Sequence, residues 1–226
     1  MKYYVCAAVC AASMAFAGSA NAATINFNQF SAGDVLGANT ELATGLFADV
    51  TAVGGINEAQ IFATTTPTGG DSDLESPFTD AEGILGSRGF GNALIIQENN
   101  GLPDDTAAGG TIAFDFMSDV VFNEVFLLDA GAGSNGFVEV FDGGSSVAVF
   151  NVTNANESDT RNNQTPNEFT FFDVGGLVGD RLVVSFQSSG AIGELNISAV
   201  PVPASLPLLA VGLLGMGAIA RRRKNK

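Results

Sequence analysis

Carboxylates are the main polar chemistry of this chain. Asp71-Ser72-Asp73-Leu74-Glu75 puts acids at alternate positions beside Gly69-Gly70. Asn99-Asn100 and Asp104-Asp105 lie in a second polar stretch, and Asp129 ends an apolar run. Calcium takes six to eight oxygens, carboxylate, amide or backbone, and such loops can offer them. Asp71, Asp73, Glu75, Asp104, Asp105 and Asp129 are therefore the candidate calcium ligands. The pattern is not an EF-hand, because Ser76 stands at the sixth position, where that loop needs a glycine. The plain alternative is a solvated acidic turn that keeps the chain soluble. Two acids could also serve as the acid and the base or nucleophile of a glycoside hydrolase, but no spacing singles out a pair.

The inventory excludes most other chemistry. The 226 residues include 24 Asp and Glu, 9 Lys and Arg and no His. All the acids fall between residues 23 and 200, where Arg88, Arg161 and Arg181 are the only basic residues, a net of −21. That segment has no Cys, His, Lys, Trp or Tyr. Ser-His-Asp and Cys-His nucleophiles are absent, as are a P-loop lysine and soft zinc ligands. Nucleic acid needs a basic footprint, and this charge is the opposite. Sugar rings stack best on exposed Trp or Tyr; only Phe is present, with Phe78 and Phe90 as loop candidates. The leading expectation is a non-catalytic surface or matrix protein. A calcium-dependent carbohydrate-binding module is the alternative, and a glycosidase the third.

Both ends look like addresses. Lys2, an apolar run from Val5 to Phe16, and small residues closing on Ala20-Asn21-Ala22 fit a signal peptide over 1–22. Signal peptidase would cut between Ala22 and Ala23, removing both cysteines, Cys6 and Cys10. At the other end, 205–220 is a run of small and apolar residues, about 24 Å as a helix. The cluster 221–226, with Arg221, Arg222 and Arg223, would stay cytoplasmic, placing 23–199 across the membrane.

Val200-Pro201-Val202-Pro203-Ala204, the apolar run and the basic cluster together resemble the PEP-CTERM sorting signal, in the variant called VPLPA-CTERM. The resemblance covers about 26 residues, with Val202 where that variant has Leu. It implies a Gram-negative bacterium and an exosortase-type enzyme that cuts near the Pro motif. It also implies inner-membrane anchoring before processing, delivery to the cell surface or matrix, and association with exopolysaccharide or biofilm.

The elements that must position any site read as strands. Short β-branched or Phe-rich runs recur at 24–30, 46–53, 59–64, 93–98, 111–116, 121–128, 136–141, 147–152, 168–172, 181–186 and 192–198. Several alternate with period two: Ile112, Phe114 and Phe116 share one face and Asp115 the other. Gly54-Gly55, Gly143-Gly144 and Gly175-Gly176 supply the positive φ of tight turns. Eleven strands and no capped 3.6-residue period predict one all-β domain over 23–199, a jelly-roll-like β-sandwich. Residues 66–92, 99–110 and 153–167 read as long loops. The blocks at 67–74, 91–98, 103–105, 109–116 and 189–192 resemble a jelly-roll domain that precedes such tails, which bears on the fold and on no activity.

Overall fold

The computed structural model describes residues 22–68, 72–80, 85–130, 136–151 and 168–200. Ala22–Ala199 form one compact unit. Thirteen strands follow in chain order: β1 (Ala22–Ile25), β2 (Val35–Leu36), β3 (Thr40–Ala43), β4 (Leu46–Val53), β5 (Ala59–Ala63), β6 (Phe78–Asp80) and β7 (Ser87–Arg88). Then come β8 (Asn92–Ile96), β9 (Gly110–Leu128), β10 (Phe137–Asp142), β11 (Ser145–Asn151), β12 (Glu168–Phe186) and β13 (Ala191–Ala199). One 3-10 turn spans Ser72–Leu74, and no α-helix occurs among the described residues.

All thirteen strands belong to one hydrogen-bonded sheet, whose two halves, a first and a second sheet, share the 19-residue strands β9 and β12. They pair antiparallel along most of their length, with register shifts between Asp173 and Leu177 and between Gly179 and Arg181. Their partners change at these breaks. The first half of β9 and the last half of β12 lie in the first sheet, ordered β11-β10-β12-β9-β4-β3. The other halves lie in the second, where β6 flanks β12 and β13 flanks β9, followed by β8, β5 and β2. Each of these strands had read as two, at 111–116 with 121–128 and at 168–172 with 181–186. Met117, Ser118 and Asp119 stay extended with exposed side chains, so β9 runs on through an exposed stretch where the alternation lapses.

Period-two alternation builds the interior. Val138, Val140, Leu182, Val184, Ile112, Phe114 and Val50 of the first sheet face Leu94, Ile96, Val125, Leu127, Ile192 and Leu195 of the second in one apolar cluster. A second cluster lies on the other side of the second sheet: Phe62, Ile95, Phe126, Leu128 and Ala191 from the strands, covered by Leu74, Phe78 and Phe90. The stretch 66–92, predicted to be a polar loop, is thus in part a cover that buries the sheet's outer face. Phe78 and Phe90 are 0% and 4% exposed, so neither is a sugar-stacking ring.

Candidate functional site

The first sheet has no such cover among the described residues. On β10, Val138 and Val140 point inward, which turns Phe137, Glu139 and Phe141 outward. The same alternation turns Arg181 and Val183 of β12, Asp115 of β9, and Phe47, Asp49 and Thr51 of β4 to that face. Register sets Phe141, Arg181, Asp115 and Asp49 in one row across four adjacent strands. Three strand spacings make the row about 14 Å long. The Arg181 Nη1 lies 3.1 Å from Asp115 Oδ1, with the two side chains 44% and 41% exposed. The Arg181 guanidinium carbon sits 5.9 Å from the Phe141 ring centroid. Asp49 Oδ1 accepts the Asn39 N–H at 2.6 Å. Phe47, Phe137 and Phe141 are half-buried and belong to neither apolar cluster.

This face combines two properties. Half-exposed phenyl rings offer flat apolar surface. Beside them a guanidinium presents donors only, and carboxylates present acceptors only. A ligand with an apolar face and a rim of hydroxyls matches both.

The predicted calcium ligands come together only in part. Asp71 lies outside the described residues. Asp73 is half-buried and Glu75 exposed, flanking Leu74, which is fully buried under the second sheet. The Asp104 N–H donates to Gln97 Oε1, and the Asp104 carbonyl accepts the Glu98 N–H. The buried Gln97 amide in turn donates to the carbonyls of Asn99 and Leu102 and so shapes that loop. Asp105 is buried, and its carboxylate accepts the Gly190 N–H. Asp129, at φ 49°, accepts the Ser189 hydroxyl at 2.9 Å. Asp105 and Asp129 thereby meet at one turn, Ser189–Gly190. Among the described residues no group of three or more acids gathers to hold a metal ion.

At the ends, Ala22 and Ala23 open β1, and Val200 follows β13. Ala20, Pro201, Val202, Pro203, Ala204, Arg221, Arg222 and Arg223 lie outside the described residues. No helix among those described is long and apolar enough to cross a membrane.

Sequence reasoning passed over one partly buried ion pair. Arg88 contacts Glu194 through Nη2 and Oε2, with the two side chains 37% and 8% exposed. Its guanidinium carbon lies 4.8 Å from the Phe90 centroid and 4.6 Å from that of Phe126. Arg88 thus fastens β7, part of the cover, to the second sheet. The Phe141–Arg181–Asp115–Asp49 row was missed too. Alternation assigned Asp115 to a strand face, but only strand order makes the four residues neighbours.

No protein-family model and no curated protein matches the chain. Among solved structures, 43% of it aligns with 69% of a fucose-binding module from Streptococcus pneumoniae, at 12% identity and a TM-score of 0.28. A second match is a truncated AlyQ with CBM32 and alginate lyase domains, at 15% identity and a TM-score of 0.27, covering 43% of this chain and 26% of that one.

Proposed function

We propose that the domain is a non-catalytic polysaccharide-binding module whose platform is the outer face of the first sheet. The observation that carries this reading is the Arg181–Asp115 pair beside the half-buried Phe141, on a sheet face that no other described residues cover. An exposed pair of this kind adds little stability, at most about 1 kcal/mol, so its place is better explained by what it offers outward. Cleavage fits less well. A general acid kept protonated at neutral pH needs burial, whereas Asp115 is 41% exposed and tied to Arg181.

The end segments support an exported protein. Signal peptidase would release Ala23, and an exosortase-type enzyme would act near Pro203, delivering the domain to the cell surface or matrix. The intact mass of surface-extracted protein checks this: it should begin at Ala23 and lack the tail to Lys226. Calcium is a separate proposal. Asp105 and Asp129 would hold it at the Ser189–Gly190 turn, and sugar binding does not pass through it.

The test of binding is retention of the full-length chain on a panel of immobilised neutral and charged polysaccharides, with a hydrolysis screen alongside. Saturable retention is expected, and Phe141→Ala should weaken it about two- to tenfold, the worth of one ring contact. Failure to bind any polysaccharide would remove the reading. Turnover lost on Asp115→Asn or Asp49→Asn would replace it with a glycosidase.

A further inference from the structure

Charge on the platform is not balanced. Asp115 and Asp49 stand directly opposite each other on β9 and β4, and like charges at such a position repel. Arg181 compensates Asp115 alone. Asp49 accepts one backbone N–H and pairs with no basic side chain among the described residues. Glu139, beside Val183 in the next row, has no ion-pair partner there either. Among the described residues three carboxylates thus share one guanidinium, on a domain whose net charge is −21.

A field of that sign disfavours a polyanionic glycan and raises the local concentration of a cationic one. We infer that the platform's ligand is a polysaccharide carrying free amino groups, with a ring ammonium seated at Asp49. The ammonium lies on the side of Asp115 away from Arg181, so that charges alternate along the row: Arg181, Asp115, ammonium, Asp49. Phe141 takes the apolar face of a sugar at the other end. The inference rests on the carbohydrate-binding reading above and names its substrate class.

Retention of the full-length chain is compared on beads of chitin, of the same polymer after de-N-acetylation, and of a polyuronate. Salt is held at about 0.15 M, where diffuse attraction is screened beyond about 8 Å. The de-N-acetylated polymer should retain the chain most strongly and the polyuronate least. Asp49→Asn, which keeps the acceptor oxygen for Asn39, should weaken retention on the de-N-acetylated polymer about fivefold. Glu98→Gln removes an equal charge from an exposed site at the end of β8, and should leave retention unchanged. Equal losses in the two variants would mean diffuse attraction only and would overturn the inference. So would strongest retention on the polyuronate, or retention on none of the three. Equal retention on both chitin forms, sensitive to Phe141→Ala but not to Asp49→Asn, would also overturn it while leaving carbohydrate binding in place.

Discussion

Arg88 and Arg181 show how burial decides what an ion pair is for. Arg181 and Asp115 are both more than 40% exposed, and losing the pair should cost little stability. Glu194 is 8% exposed and has Arg88 above it, itself packed against Phe90 and Phe126. Arg88→Ala would leave that carboxylate buried without its cation. Breaking a fully buried pair costs about 3–5 kcal/mol; with Arg88 a third exposed, the expected loss is about 2–3 kcal/mol in urea unfolding followed by circular dichroism. Replacing both partners, Arg88→Met with Glu194→Leu, should recover most of it, since an apolar pair of similar volume needs no compensation. A single substitution within about 0.5 kcal/mol of the parent would show that Glu194 is not held by Arg88. Neither partner was legible in the sequence, because 106 residues separate them and no local pattern links them.

Strands were legible where their alternation is clean, as in β4, β9 and β10, because one face must meet the core while the other meets water. The cover over the second sheet was not. Leu74, Phe78 and Phe90 are scattered through Gly, Ser, Asp and Thr with no period, yet all three are buried. Their signal is tertiary, since the second sheet needs both faces covered and these side chains pack on its outer one. The platform was half legible: alternation assigned Asp115 to the face opposite Ile112 and Phe114, but strand order alone brings Phe141, Arg181 and Asp49 beside it. Glycines divide in the same way. The turn Gly143-Gly144 could be read, with φ of 54° and 79° in open space. Gly110, at φ 149°, could not: a Cβ there would collide with the Val53 carbonyl oxygen and press on the Ile96 side chain. Gly143→Ala should therefore cost about 1 kcal/mol, the ordinary left-handed penalty. Gly110→Ala should cost at least about 2 kcal/mol more, because β4 and β9 must separate to admit it. Equal midpoints for the two variants in urea would contradict this close approach.

Two properties belong to the whole molecule. The first is that both ends of the domain leave by neighbouring strands, because Ala22 of β1 pairs with Ser198 of β13. The second is the charge. A net of −21 on about 177 residues, with three Arg and no Cys, makes self-repulsion a term in global stability. Monovalent salt should raise the thermal midpoint by screening it, whatever the cation. A specific ion should do more. Asp105 and Asp129 meet at Ser189–Gly190 with hydrogen bonds already fixing both carboxylates, so an ion there would tie the ends of three strands, β9, β12 and β13, to the loop at residues 99–106. An ion binding only the folded chain at a hundred times its Kd adds about 2.7 kcal/mol, equivalent to about 5–10 °C for a domain of this size. The expected outcome is a midpoint that is higher in calcium than in magnesium or EDTA at matched ionic strength, with the difference lost in Asp129→Asn. Far-ultraviolet circular dichroism suits the measurement, since residues 23–199 hold neither Trp nor Tyr. Identical midpoints in all three conditions would leave Asp105 and Asp129 with a structural role only, as acceptors that fix the Ser189–Gly190 turn, and would confine cation recognition by this molecule to the ammonium groups proposed for its platform.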